Sequence, residues 1–225
     1  MKLERRFTNS IRKVLDNWLP PVVRESAPFA RAVKLWLGSR AMPDFKFRAF
    51  RMSPKEFSDA CAAVDGAYAE RSCDTTPRQC EWILERVGNR PNRLLEIGPG
   101  NGILTERLKP LADQITVLDV YPRAEVGYLI GTVESIPLPS KSVDVTVLTH
   151  VIEHTRSLTR AFLEMERVTR DKVLIVTPRQ RFYRVTFDYH LHFFYSLDHL
   201  ASHIPCGTAS GEEVDGDLCL EWHIR

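Results

Sequence analysis

The stretch LLEIGPGNGILTERL, residues 94–108, places Gly98, Gly100 and Gly102 at alternate positions between an apolar run and a helix-like pattern. Glycines in such a turn let the backbone approach a ligand closely and adopt positive φ. At the carboxyl end of a strand, turns of this kind hold nucleotides. Two acids accompany the turn: Glu96 stands two residues before Gly98, and Asp119 lies 23 positions beyond Glu96. A dinucleotide fingerprint, GxGxxG, would need glycine where the chain has Ile103; the glycines read GxGxG instead. A carboxylate at position 96 repels a pyrophosphate and suits a ligand that carries positive charge. Asp119 has close to the spacing of the acids that hold a ribose in dinucleotide folds.

Proton chemistry has three candidates. His150 follows the apolar run VDVTVLT, while His190 and His192 lie in FDYHLHFFYSLDHLASHI, where Asp188 or Tyr189 would orient them. Each is a candidate base for a hydroxyl acceptor, set against the alternative of a histidine packed among Phe193, Phe194 and Tyr195. His150, Glu153 and His154 also spell HxxEH, a zinc-protease pattern. That pattern binds metal through two histidines on one helical face. Here it directly follows an apolar strand and no long helix surrounds it, so no metal is expected. Arg179, Arg181 and Arg184 in PRQRFYR suit an anionic acceptor or a solvated loop.

These residues need strand tips to hold them. Arg93–Ile97, Gln114–Asp119, Ser142–Leu148 and Lys172–Thr177 read as strands, with another strand end near Gly131–Val133. Helical spacing covers Thr105–Leu111 and Thr159–Val168, where Ala161, Phe162, Met165 and Val168 form one face. This alternation predicts an α/β fold, a mostly parallel sheet with helices on both faces. The tail from Gly207 predicts an antiparallel hairpin ending in DLCLEWHIR. Before residue 76 the chain reads as a helical extension. Pro20 and Pro21 end a first helical segment; Phe29, Val33, Trp36 and Leu37 share a face, with Gly38 at its end; Ser53-Pro54 begins a third. The expected division is 1–75 for the extension and 76–225 for the ligand-binding domain.

With 225 residues, 44% of them hydrophobic and 27% charged, the chain has an ordinary globular composition. Its five cysteines are odd in number and show no CxxC spacing. That excludes a zinc ribbon or disulfide framework as an expectation and fits a reducing, cytoplasmic setting. The start lacks the apolar core of a secretory signal, and no run is long enough to span a bilayer. Residues 1–51 hold 12 Lys or Arg against 4 Asp or Glu, while the remainder holds 19 against 25. This asymmetry predicts an acidic partner for the basic end.

LLEIGPGNG resembles the first motif of class I S-adenosylmethionine-dependent methyltransferases. VLDVYP at 117–122 is similar to their second motif. GTVESIPLPSKSVDVTVLTHVIEHT at 131–155 is similar to their third and fourth strands with the loop between. The resemblance covers roughly residues 65–225 and is specific because the segments keep the family's order and spacing. It implies a Rossmann-like, seven-stranded sheet and S-adenosyl-L-methionine as cofactor. It places Gly98, Gly100 and Gly102 under the methionine part of the ligand, and Glu96 at its amino group. Asp119 falls on the ribose hydroxyls with Val120 beside it, and Thr132, Val133 and Glu134 fall by the adenine. Thr149 and His150 end the strand nearest the sulfonium, and Tyr68 caps the methionine carboxylate. The chain departs from the pattern at Thr132, where many relatives have aspartate, and at Thr169–Lys172, where relatives carry a Pro-Gly-Gly turn.

The resemblance implies methyl transfer, and three classes of acceptor compete for it. No Asn/Asp-Pro-Pro-aromatic motif follows VDVTVLT, and no cysteine sits where cytosine-carbon methylases place theirs, so nucleic acid is disfavoured. The aromatic residues Trp18, Phe29, Trp36, Phe45, Phe47 and Phe50 among basic ones fit a lid over the pocket or a peripheral contact with the inner membrane surface. Together with PRQRFYRVTFDYHLHFF, they resemble methyltransferases of bacterial surface-glycan clusters. That implies O-methylation of a sugar or other small molecule, lipid-linked or free. The rival readings are a non-catalytic protein that binds the cofactor and a nicotinamide oxidoreductase.

Overall fold

The computed structural model describes residues 18–37, 45–53, 55–57, 59–60, 75–88, 90–120, 128–182 and 190–225. Seven strands form one sheet: β1 Arg93–Ile97, β2 Gln114–Asp119, β3 Tyr128–Ile130, β4 Val143–Thr149, β5 Thr169–Pro178, β6 Thr208–Val214 and β7 Asp217–His223. Their order across the sheet is β3-β2-β1-β4-β5-β7-β6. The first five run parallel, and β7 lies antiparallel between β5 and β6. This is the Rossmann-like arrangement with a C-terminal hairpin that the alternating pattern and the resemblance lead one to expect. The chain runs outward from β1 to β3 and then returns to the other side of β1 with β4. The crevice outside the carboxyl ends of β1 and β4 is therefore the topological switch point, where ligands bind in open α/β sheets.

Helices cover both faces because the strand residues alternate. In β5, Val173 and Ile175 pack with Phe162 and Met165 of a helix at Leu158–Val168. Leu174 and Val176 pack on the other face with Trp82, Ile83 and Val87 of a helix at Pro77–Val87 and Leu104 and Leu108 of one at Ile103–Leu108. In chain order the helices are α1 Pro21–Arg24, α2 Ala27–Leu37, α3 Phe45–Ala49, α4 Pro77–Val87, α5 Ile103–Leu108, α6 Leu158–Val168 and α7 Leu197–Ala201. The buried residues of α6 are Ala161, Phe162, Met165 and Val168, the face its spacing predicted. Among the described residues, no helix is long and apolar enough to cross a membrane.

Four expectations meet the structure here, two of them as corrections. Pro21 opens α1, with Pro20 at its N-cap; proline's fixed φ and missing N–H suit the first helical turn, and the segment these prolines were expected to end lies outside the described residues. Thr169–Lys172 is not a turn. α6 hands over directly to β5 at Thr169, which pairs with Val143, and the Thr146 and Thr169 hydroxyls share a buried hydrogen bond of 2.6 Å. β3 ends at Ile130, before the predicted Gly131–Val133, because Thr132 and Ser135 close a tight turn there. Val133 points its side chain into the core beside Leu118 and Ile136. Ser53 begins its helical segment as expected, exchanging the two hydrogen bonds of a capping box with Glu56.

Candidate active site

β1 delivers the glycine turn to the carboxyl edge of the sheet. Gly98, Gly100 and Gly102 all have positive φ, at 69°, 58° and 79°. A Cβ at Gly98 would lie 2.5 Å from Cγ2 of Val151, so the turn packs against the loop after β4. A Cβ at Gly100 would meet nothing within 4 Å, which leaves the space over the turn open.

Glu96, one residue short of the end of β1, is only 2% exposed. Its Oε2 makes no hydrogen bond among the described residues. Burial pushes its carboxyl up to about 7, opposed by the nearby Thr105 hydroxyl of α5. An orphaned buried carboxylate beside an open glycine turn suits a ligand with a cationic amino group. Asp119 ends β2 two strands from β4 and is also buried. Val120 and Ile130, at the carboxyl ends of β2 and β3, are exposed apolar side chains, a surface that a flat base would cover. A depression lined by Asn92, Arg93, Asp113, Gln114 and Arg170 lies at the amino ends of β1 and β2, on the opposite edge from these groups.

On the other side of the glycine turn, the tips of β4, β5 and β7 carry a buried polar network. His150 follows β4 with φ of +55°, a left-handed conformation for a non-glycine residue. Such strain clusters at functional sites. Its N–H donates to the Val176 carbonyl. Its ring stands between two buried carboxylates: Nδ1 is 3.5 Å from Glu153 Oε1, and Nε2 is 3.4 Å from Asp217 Oδ2. Asp217 is held in turn by the side-chain amide of Gln79, which also donates to the Val214 carbonyl. Glu153 receives the Thr177 hydroxyl on Oε2 at 3.1 Å. Burial would raise its carboxyl; the approach of the His150 ring and the charges of His154, His150 and His190 outweigh burial and hold it well below the usual carboxylate range.

HVIEH adopts a single 3-10 turn, Ile152–His154, rather than a helix. His150 lies outside that turn, so the two histidines of the pattern do not share a helical face. His190 arrives from the segment after β5 instead, with its ring edge-on to His154 and the centroids 4.9 Å apart.

His192 is held through one of its ring nitrogens. Its Nε2 donates to the Thr155 carbonyl at 2.9 Å, and its ring meets the edge of Phe50. Burial lowers its pKa, against the raising effect of that backbone hydrogen bond. That hydrogen bond fixes the ring on the loop and leaves its lone pair on Nδ1. Glu134, expected beside the adenine, is likewise engaged: its carboxylate accepts the N–H of Ser157, at the N-cap of α6. Val133 is buried in the core, leaving only its backbone for an adenine, while Thr132 is exposed. Thr149 ends β4, half-buried beside His150. Arg179 pairs with Glu213 at 3.3 Å, and Arg181 is exposed. Tyr68, Arg184, Asp188 and Tyr189 lie outside the described residues.

Residues 45–60 pack on this side of the site. Phe45 and Ala49 of α3 pack with Leu191. Lys46 lies 3.7 Å over the Phe182 ring, and Arg156 donates to the Met52 carbonyl at 2.8 Å.

Residues 95–177 match the family described as Methyltransferase domain. This segment is similar to a methyltransferase domain. An uncharacterized methyltransferase of Mycobacterium tuberculosis is 30% identical over 127 residues, which cover 52% of this chain and 51% of that protein. The malonyl-acyl-carrier-protein O-methyltransferase of Serratia marcescens is 30% identical over 125 residues, covering 51% and 47%. The chain thus spans about half the length of the curated relatives it matches. The N-methyltransferase NodS of Bradyrhizobium japonicum WM9, solved with S-adenosyl-L-homocysteine, shares the fold. Its TM-score is 0.50 at 16% identity over 67% of this chain and 89% of that one.

Sequence reasoning missed Gln79, Thr177, Gln180 and Asp217 as site residues. Gln79 sits only in the capping box of α4, a folding signal, and Asp217 gains its place only through the pairing of β7 with β5.

Proposed function

We propose that the protein transfers a methyl group from S-adenosyl-L-methionine to an oxygen of a sugar or other small acceptor. The observation that carries this reading is a contact. The glycine turn with its orphaned Glu96 packs through Gly98 directly on Val151, beside the His150–Glu153–Asp217 network. A cofactor crevice and a set of proton-handling groups thereby share one strand edge. Glu96 would take the amino group of the cofactor, Asp119 the ribose hydroxyls, and the backbone of Gly98–Gly102 the methionine part. The cofactor supplies an activated methyl on a cationic sulfur.

The chain supplies alignment, exclusion of water and a proton acceptor. His150 is the base in this reading, since the carboxylates on both sides of its ring stabilise the imidazolium that forms when it accepts a proton. That arrangement favours an acceptor that must lose a proton, such as a hydroxyl. The name of one curated relative, an O-methyltransferase, agrees with an oxygen acceptor. The packing of α3 on Leu191 and of Arg156 on the Met52 carbonyl supports a lid role for the extension. The exposed Trp18, Val22 and Leu35 around α1 and α2 support a further contact with an anionic membrane surface.

The reading is tested by titrating S-adenosylhomocysteine into the protein and following tritium transfer from labelled cofactor into acceptor extracts. Saturable binding with His150-dependent transfer is expected. Binding without transfer to any extract would favour a non-catalytic cofactor binder, and NADH binding in its place would favour an oxidoreductase.

The pH dependence of binding follows from Glu96. Its folded carboxyl is raised by burial to about 7, so the neutral form favours folding. That stabilisation is complete below the unfolded value and is lost as pH rises through about 7. A cationic amino group favours the ionised form. Affinity for S-adenosylhomocysteine should therefore fall as pH drops below 7, by up to about tenfold per unit, and be flat above it. Calorimetry from pH 5.5 to 8.5 should show this slope, and Glu96→Gln should flatten it. A slope that persists in the variant would move its origin to another group.

A further inference from the structure

Three side chains able to bind a metal meet at the carboxyl edge of the sheet, from two separate parts of the chain. Glu153 and His154 come from the 3-10 turn after β4, and His190 from the segment after β5. One ligand atom of each, a carboxylate oxygen and two ring nitrogens, lies within 4.8 Å of the others. Glu153 is 1% exposed, and its Oε1 makes no hydrogen bond among the described residues. That oxygen faces the ring nitrogens of His150 and His154 at 3.5 and 4.0 Å, while the Thr177 hydroxyl fixes Oε2. A buried carboxylate oxygen without a hydrogen bond calls for positive charge beside it, which a cation supplies when the histidines are neutral.

A second observation concerns His190. Its Nδ1 is 2.6 Å from Oε1 of Gln180. An amide oxygen only accepts, so Nδ1 carries the proton and the lone pair of the ring is on Nε2. Gln180 is itself buried, with its own N–H held by the Phe194 carbonyl. Metal-binding histidines are fixed in this way, with the far N–H donated to a buried acceptor.

We propose that Glu153, His154 and His190 bind one divalent transition-metal ion, whose open positions take an oxygen of the methyl acceptor. Two imidazoles and one carboxylate suit zinc, iron, cobalt or manganese better than magnesium or calcium. Bonds of about 2.0–2.2 Å require the three ligand atoms to draw together. His154, whose side chain is 40% exposed, has room to make that adjustment. The site deepens the methyltransferase reading, and its catalytic role rests on it: an ion there orients the acceptor hydroxyl and makes it more acidic. The released proton passes to His150, across the Glu153 carboxylate from the site.

The test uses the full chain, stripped with a chelator, dialysed and titrated with Co2+ alone, followed by visible absorption and calorimetry. One ion per chain is expected, with ligand-field bands of nitrogen and oxygen donors. His154→Ala and His190→Ala should each lose the bands, and Gln180→Ala should weaken binding roughly 10- to 100-fold, the scale of a lost outer partner. His223→Ala, an exposed histidine at the far end of β7, should bind as the parent does. His154→Ala, the half-exposed position, keeps the test valid if His190→Ala does not fold. No saturable uptake, or uptake unchanged in His154→Ala, would overturn the site. S-adenosylhomocysteine titrated into the same stripped protein separates the two readings. If it binds while cobalt does not, the metal site falls alone; if neither binds, the methyltransferase reading falls with it.

Discussion

Replacing Asp119 with alanine is expected to weaken S-adenosylhomocysteine binding by about 1.5–3 kcal/mol, roughly 10- to 150-fold, with the fold retained. The magnitude is that of a hydrogen bond to a charged group. Asp119 is the last residue of β2, where it pairs with Ile130 of β3 and sits one strand from the glycine turn. In β1, Ile97 pairs with Leu118, and the Gly98 N–H donates to the Leu118 carbonyl at 2.9 Å. The acid therefore follows immediately on the residue that anchors the turn. A ligand lying over the glycines extends naturally to this carboxylate. The Asp119→Asn variant, which keeps one acceptor oxygen, should fall between parent and alanine. Calorimetry on a variant whose circular dichroism matches the parent decides the matter; unchanged affinity would remove Asp119 from the ligand's contacts.

The second large effect is on stability. Trp222→Ala should cost about 3–5 kcal/mol in urea denaturation, the range for deleting a large buried aromatic side chain. Trp222 is fully buried on β7 and packs on Phe162 of α6 with centroids 5.7 Å apart. Its indole N–H donates to the Cys206 carbonyl at 2.7 Å, which alanine leaves without that donor. Against a typical total of about 5–15 kcal/mol, this is a large fraction. The consequence reaches the site because β7 begins at Asp217, which faces His150. Loosening β7 should therefore lower turnover before it lowers affinity for S-adenosylhomocysteine, whose expected partners lie on β1 and β2. A cost below about 1 kcal/mol, the size of an average point change, would mean that the hairpin lies outside the cooperative core.

The proposed metal site and the His150 base concern the same loop, yet they separate experimentally. His150 is not one of the three grouped ligand residues, so His150→Ala should keep cobalt binding while slowing transfer. The sequence reading set HxxEH aside because no helix carries it, and the 3-10 turn agrees with that reason. The grouping that does occur replaces His150 with His190, 36 positions beyond His154. No pattern of local spacing contains such a group.

What the sequence determined by itself was the part of the protein governed by local rules. β1 and β2 have the bounds their apolar runs predicted, since a continuous run of apolar residues ended by a turn is what a strand buried on both faces requires. The buried face of α6 follows from its 3.6-residue spacing, and the glycine turn is legible because only glycine tolerates that backbone beside Val151. Where two local readings competed, tertiary packing chose. Thr169–Lys172 became strand because β4 left that segment an edge to pair with. The polar network as a group had no local signature, although His150, Glu153 and His190 were each legible as single residues. Gln79, His150, Glu153, Thr177, Gln180, His190 and Asp217 are spread over 139 positions, and the register of Pro178 opposite Asp217 is what carries the last of them to the tip of β4. A slip of one residue in that pairing would turn Asp217 to the other face. Strand register is set by the whole core at once, so the glycine turn and its two acids are written in the sequence, and the polar network at the tips of β4, β5 and β7 exists only once the sheet has closed.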